Sequence, residues 1–122
     1  LPDAVETTMM LNGLWKKGIE IYFISHRMGN NAKRQTEEAL YNIGIDYPCV
    51  LFAENKIPFL TAIKPDLYID DKPEHVLAAL KADVVDQLYL KMAPYNKDLW
   101  GHPGFKKAVS VKDALIDANI WE

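Results

Sequence analysis

The stretch IYFISHR at residues 21–27 decides the predicted fold, together with DLYIDD at residues 66–71. Each is an apolar run of strand-forming residues that ends abruptly in polar groups, as a buried parallel strand does. In open α/β sheets, ligands bind just beyond the carboxyl ends of such strands. The first run delivers the hydroxyl of Ser25, and the second delivers the carboxylates of Asp70 and Asp71. These groups suit a phosphate that is held through a hard divalent cation.

Helices and strands alternate along the rest of the chain. Helices are predicted at residues 3–17, 32–43, 57–63, 73–81 and 110–118, and strands at residues 19–24, 49–53, 66–69 and 86–92. Gly18 and Gly44 end the first two helices, and Pro73 can occupy the first position of the fourth. Ser110 and Asp113 resemble a capping pair at the start of the last helix. This order predicts a Rossmann-like three-layer α/β/α fold with a mainly parallel sheet.

The length and composition of the chain limit its function class. Its 122 residues suffice for one compact domain, so we expect a single core domain at residues 1–122. A formal net charge of -3 argues against bulk binding to nucleic acid. No apolar run approaches the ~20 residues that span a bilayer, so no membrane partner is expected. The lone cysteine, Cys49, cannot form an internal disulfide, which indicates a reducing, cytoplasmic compartment.

Asp70 and Asp71 are the predicted metal ligands. Side chains alternate along a strand, but the chain turns at the strand end, so both carboxylates can reach one cation. Mg²⁺ prefers one or two carboxylates together with water and a substrate phosphate. The alternative is structural: Asp70 ends the strand and Asp71 caps the helix that begins at Pro73. The apolar run before the pair favours the metal site.

Ser25, His26 and Arg27 are the predicted substrate ligands. A hydroxyl and free backbone N–H groups at a strand end can hold phosphate oxygens, which assigns this role to Ser25. His26 or Arg27 would meet a second substrate charge, because a guanidinium suits phosphate geometry. Alternatively, Ser25 is a turn serine and the two basic residues are solvated in the loop.

A lysine is expected near the transferred group, because catalysis of phosphoryl transfer is mostly charge neutralisation and positioning. Lys56 follows the strand at residues 49–53, at the same sheet edge as Ser25 and Asp70. Lys64 precedes the strand at residues 66–69 and so lies toward the opposite edge. The topology therefore favours Lys56 over Lys64.

Other chemical motifs are missing from the sequence. The histidines lack zinc-ligand spacing, and no Gly-rich phosphate loop, dinucleotide fingerprint or nucleophile-elbow serine occurs. Tyr89, Tyr95 and Trp100 could stack on a nucleobase, but aromatic residues in a small domain more often belong to the core.

The order of the remaining motifs resembles that of the haloacid-dehalogenase-like (HAD) phosphohydrolases. A β-run ending in Ser25, then Lys56 after the next strand, then DLYIDD with Asp70 and Asp71 is similar to motifs II, III and IV of that superfamily. The resemblance covers roughly residues 1–96. The segment DLYIDDKP, followed later by APYN, looks most like the 5'-nucleotidase and phage-type branch.

The resemblance implies an activity and roles for the residues that match its motifs. An aspartate nucleophile attacks a small phosphomonoester, a second aspartate two residues later acts as general acid and base, and Mg²⁺ bridges nucleophile and phosphate. Ser25 would bind phosphate oxygens, Lys56 would steady the phosphoaspartate, and Asp70 and Asp71 would hold the metal. A nucleoside monophosphate is the candidate substrate.

The chain departs from the superfamily pattern in one respect, because no Asp-x-Asp occurs anywhere in it. In the superfamily, that motif ends a central strand, so the strands ending in Ser25 and Asp70 would here flank a gap. We expect a second chain, or a segment before Leu1, to supply that strand. The alternative is an inactive phosphate- or metal-binding module that acts through a partner. A response-regulator-like domain is disfavoured, because no acidic pair follows the first strand.

Overall fold

The computed structural model describes the backbone of residues 2–25, 31–46 and 48–121, and their side chains except those of residues 2–4 and 25. The chain forms two compact units, residues 1–54 and residues 55–122. All strand pairings among the described residues are parallel. The protein is therefore a mixed α/β chain with short parallel strands in open sheets, as predicted at the level of fold class.

The first unit contains two helices and a two-stranded sheet, in the order α1 (Pro2–Lys16), β1 (Phe23–Ser25), α2 (Ala32–Asn42) and β2 (Val50–Phe52). The strand predicted at residues 19–24 is shorter than expected, because β1 pairs only where β2 runs beside it, from Phe23 opposite Val50 to Ser25 opposite Phe52. Gly18 and Gly44 follow the two helices with positive φ angles of 87° and 108°, as their predicted end positions require.

The second unit contains a three-stranded sheet, three α-helices and one 3₁₀ helix. The order is α3 (Ile57–Ile63), β3 (Leu67–Asp70), α4 (Pro73–Ala82), β4 (Gln87–Lys91), the 3₁₀ helix (Pro94–Leu99), β5 (Lys106–Ala108) and α5 (Val111–Asp117). The strands lie in the order β3-β4-β5, and Asp70 at the end of β3 is opposite Leu90. The Ser110 hydroxyl caps α5 by accepting a hydrogen bond from the Asp113 amide at 3.2 Å, as predicted.

Tyr89 on β4 is the centre of the core of the second unit. Its side chain is fully buried and packs among three alanines and, around them, three larger apolar residues: Ala108, Ala114, Ala118, Leu67, Ile69 and Ile120. The small alanine side chains leave room for the ring. Its hydroxyl donates to Asp117 Oδ2 at 2.5 Å, which satisfies the one polar atom of the side chain. The core position that the sequence favoured for these aromatic residues is confirmed for Tyr89 and wrong for Tyr95, whose side chain is 62% exposed.

The described strands form two sheets rather than the one that the element order predicted, and the division falls between the strands for which the missing Asp-x-Asp motif predicted a gap. The strands that end in Ser25 and Asp70 belong to two separate sheets, and no described strand pairs with both of them. Strand β5 was missed, because its sequence begins with two exposed lysines and forms a strand only through pairing with β4. No helix in the described ranges is long and apolar enough to cross a membrane.

Candidate functional site

Asp70 is the centre of a buried polar cluster at the carboxyl end of β3. The residue is 8% exposed, and its Oδ2 atom accepts hydrogen bonds from three side chains. Lys56 Nζ lies at 2.9 Å, His75 Nδ1 at 3.1 Å, and the Tyr68 hydroxyl is the third donor. Because a carboxylate oxygen only accepts, the bond from His75 places a proton on Nδ1. Three donors therefore converge on one oxygen.

Each donor reaches Asp70 for a local structural reason. Tyr68 precedes it by two residues and so lies on the same face of β3. Lys56 is the N-cap residue directly before α3, and His75 lies in the first turn of α4, which opens at Pro73. The backbone turns directly after the strand, which brings the Lys72 amide within 3.1 Å of Asp70 Oδ1. The site is thus built from one strand end and two helix starts.

The hydrogen bonds keep Asp70 ionised. Burial opposes its negative charge, but the bonds from the Tyr68 hydroxyl, the Lys72 amide and Lys56 outweigh burial and lower the pKa of Asp70 to about 2. Burial and the neighbouring Asp70 charge raise the pKa of Tyr68 well above its usual value. At neutral pH, Tyr68 is therefore a neutral donor to an anionic carboxylate.

The lowered pKa of Asp70 predicts a specific acid sensitivity. A carboxyl with a lower pKa in the folded than in the unfolded protein stabilises the fold above pH 4, and this contribution disappears as the pH falls toward 2. We expect the free energy of unfolding to drop by about 2 kcal/mol across this interval on account of Asp70. Urea titrations at pH 5, 4, 3 and 2.5 measure this drop. In Asp70→Asn, the free energy of unfolding should depend less steeply on pH over the same interval. An equal slope in that variant would contradict the assignment.

Asp71 lies in the turn that follows β3 and is half-buried. Its Oδ2 atom accepts a hydrogen bond from the Tyr95 hydroxyl, and its backbone carbonyl accepts one from Asn96 Nδ2 at 2.8 Å. The bond to Asp71 raises the pKa of Tyr95 to about 12. The structural alternative for Asp71 is wrong, because α4 begins after Lys72 and no side chain caps it.

The structure brings some of the predicted site residues together. Lys56 and Asp70 form a buried ion pair, with side chains 11% and 6% exposed. Lys64 ends α3 in an exposed, left-handed backbone conformation, with a φ angle of 51°. Ser25 ends β1 in the first unit, and its side chain is outside the described atoms. The predictions for residues 26 and 27, His26 and Arg27, lie outside the described residues.

Four further residues belong to the cluster and were not predicted: Tyr68, His75, Tyr95 and Asn96. Tyr68 could have been found, since residues two apart on a strand share a face. His75 could have been placed in the first turn of a helix that starts at Pro73. The contacts of Tyr95 and Asn96 depend on how the turn after β4 folds against β3, which no local pattern indicates.

The donors that already occupy the two carboxylates limit what each can offer to Mg²⁺. Asp70 accepts three bonds on Oδ2 and one on Oδ1, whereas Asp71 accepts one, on Oδ2, from the described residues. No three His, Cys, Asp or Glu side chains converge in the described part of the chain. The pair fits a Mg²⁺ that takes a free Asp71 oxygen together with water and phosphate, and does not fit a cation enclosed by protein ligands alone.

The cluster therefore combines a fixed ammonium, a fixed carboxylate and a second carboxylate at one strand end. Such a set can neutralise and orient an anionic ligand at the edge of the sheet. The chain matches no protein-family model, no curated protein and no solved structure.

Proposed function

We propose that this chain is the lysine- and acid-bearing part of a Mg²⁺-dependent phosphomonoester hydrolase of the HAD-like type, acting in a reducing, cytoplasmic compartment. The aspartate nucleophile would come from a segment or second chain outside the 122 residues. The contact between Lys56 and Asp70 is the observation that carries this proposal. The predicted topology favoured Lys56 over Lys64 as the lysine near the strand-end acids, and the ion pair between Lys56 and Asp70 supports this choice.

The buried ion pair suits Lys56 to stabilise phosphoryl oxygens. Asp70 fixes the ammonium at the carboxyl end of β3, so its charge needs little reorganisation when a phosphate arrives. Asp71 would hold Mg²⁺, with Asp70 beside it, and the cation would neutralise charge on the phosphate. Ser25, His26 and Arg27 belong to the first unit, and the substrate-binding roles given to them stay predictions from the sequence.

The position of β3 supports a strand-borne nucleophile. Asp66 O accepts from Gln87 N at 2.9 Å, so alternate residues from Asp66 direct their backbone groups toward β4. The backbone groups of Leu67 and Ile69 therefore face the other edge, where β3 has no partner among the described strands. An added parallel strand there would end beside Asp70, where an aspartate on it could attack a bound phosphate.

An N-terminal extension that supplies an apolar strand ending in Asp-x-Asp tests this proposal. We expect the extended chain to hydrolyse p-nitrophenyl phosphate only when Mg²⁺ is present. Lys56→Met and Asp71→Asn should each lower the rate by about 10–100-fold, since both would act on the phosphate or its metal. The matched control is Lys64→Met, which removes an exposed lysine at the other end of α3 and should leave the rate unchanged.

Equal losses of hydrolysis rate in Lys56→Met and Lys64→Met would contradict the role given to the ion pair of Lys56 and Asp70. The proposal fails if the extended chain hydrolyses nothing with Mg²⁺ and Asp71→Asn changes neither Mg²⁺ nor phosphate binding.

A second candidate function has one observation in its favour. Four donors already occupy Asp70, which is typical of a structural carboxylate as well as of a site that presents a fixed lysine. The chain would then be an inactive phosphate-binding module that acts through a partner. In that case phosphate binding should depend on Lys56 and be insensitive to Mg²⁺, whereas the hydrolase requires the metal.

A further inference from the structure

Asn96 is a fully satisfied, buried amide that joins the two strand ends next to the candidate site. It is 1% exposed, and it lies in the 3₁₀ helix that follows β4. Its Nδ2 group donates to the carbonyls of Asp71 at 2.8 Å and Lys91 at 3.0 Å. Its Oδ1 atom accepts from the Ala93 amide at 2.9 Å and from Trp100 Nε1 at 2.8 Å. All four hydrogen bonds that an asparagine amide can make are therefore formed.

The Asn96 amide binds the backbone of Asp71 at a position that the hydrogen bonds of the sheet do not reach. Strand β3 ends at Asp70, so the Asp71 carbonyl lies beyond the paired register with β4. The bond from Asn96 replaces that missing ladder contact. Tyr95 is the neighbouring residue, and its hydroxyl binds the Asp71 carboxylate. The same short turn thus fixes both the backbone and the side chain of Asp71.

We propose that Asn96 is a positioning residue for Asp71. Its amide group connects the turn after β3 to the end of β4 by two hydrogen bonds. These bonds set the direction in which Asp71 presents its free carboxylate oxygen. The part of this inference that concerns metal affinity rests on the proposed function. The part that concerns the order of the turn stands on the hydrogen bonds alone.

Asn96→Asp in the full 122-residue chain separates positioning from general stability. The substitution keeps an oxygen for Ala93 N and Trp100 Nε1, but it removes the donor to Asp71 and Lys91. The control is Trp100→Phe, which removes one donor to Asn96 and leaves its bond to Asp71. A role in packing alone would make the two variants equivalent.

Two measurements distinguish the variants. Hydrogen exchange of the Lys72 amide, which is bonded to Asp70 in the same turn, should accelerate about tenfold more in Asn96→Asp than in Trp100→Phe. The Kd for Mg²⁺ should rise about tenfold in Asn96→Asp and change less than about twofold in Trp100→Phe. Equal changes in the two variants, or none in Asn96→Asp, would overturn the inference.

The unmodified chain provides a readout that does not require a variant to fold. Both side-chain amide protons of Asn96 should exchange slowly, and Mg²⁺ should shift their NMR signal more than that of the exposed Asn119. Rapid exchange of the Asn96 side-chain amide protons would refute the proposal that these hydrogen bonds hold the turn after β3. If Mg²⁺ does not bind the wild-type chain, the metal-affinity part of the inference fails, and the exchange of the Lys72 and Asn96 amides then decides the positioning role alone.

Discussion

Asp70→Ala is expected to lower the free energy of unfolding by about 3–5 kcal/mol, the range for breaking a buried ion pair. The substitution removes the acceptor shared by the Lys56 ammonium, the Tyr68 hydroxyl and His75. Because the Lys56 side chain is only 11% exposed, water cannot replace the lost carboxylate without a local opening of the structure. The cost comes mainly from leaving a charge buried and uncompensated, rather than from the lost attraction itself.

A loss of this size is comparable with the whole stability of the second unit. A unit of this length has a free energy of unfolding of roughly 3–10 kcal/mol. We therefore expect Asp70→Ala to lose much of its cooperative unfolding transition in urea, followed by far-UV circular dichroism at pH 7. A transition midpoint close to that of the wild type would show that the buried pair contributes little.

The double variant Asp70→Ala with Lys56→Met identifies the cause. Replacing the ammonium with an apolar side chain of similar length removes the unpaired charge while it fills the same space. The double variant should be more stable than Asp70→Ala alone by about 1 kcal/mol or more. If the losses in free energy of unfolding from the two single substitutions add in the double variant, then the destabilisation comes from packing around Asp70, and the electrostatic explanation is wrong.

The sequence predicted those features of the fold that depend on local chemistry. Glycines with positive φ end the first two helices, and Pro73 opens α4, because these residues restrict the backbone wherever they occur. The polar ends of β1 and β3 were found because each apolar run stops abruptly at its strand end, although Phe23 and Ile24 of β1 are only half-buried and Asp70 itself is buried. The proximity of Lys56 and Asp70 was predicted from a shared sheet edge, but β2 and β3 belong to separate sheets, and Lys56 reaches Asp70 from the start of α3.

The features that were missed depend on contacts between distant segments. Lys106 and Lys107 begin β5 because β4 offers them a hydrogen-bonding edge, and no apolar alternation in their own sequence indicates a strand. Likewise, the sequence around Asn96 indicates only a turn. Its contact with the Asp71 carbonyl depends on the register of β3 and β4. Pairing geometry of this kind overrides local propensity, and it also created the two hydrogen bonds that hold Asp71.

Tyr89→Ala is the second substitution with a large expected effect, again about 3–5 kcal/mol, because it empties the centre of the core. The buried residues of the cluster that surrounds the ring are three alanines, whose side chains cannot extend into the space that the ring leaves. The cavity should therefore persist rather than collapse, which places the cost toward the upper part of the range. Urea unfolding at pH 7 measures the loss.

Tyr89→Phe is the matched control, because it keeps the ring and removes only the hydroxyl bonded to the exposed Asp117. Asp117 can be rehydrated, so this variant should lose only about 1 kcal/mol of its free energy of unfolding.

Because Ile69 lies opposite Tyr89 in the sheet, one residue before Asp70, the loss of the ring should also loosen the polar cluster around Asp70. Exchange of the Lys72 amide should therefore accelerate in Tyr89→Ala and stay unchanged in Tyr89→Phe. Accelerated exchange in both variants would mean that the hydroxyl, and not the filled core, supports the strand that carries Asp70.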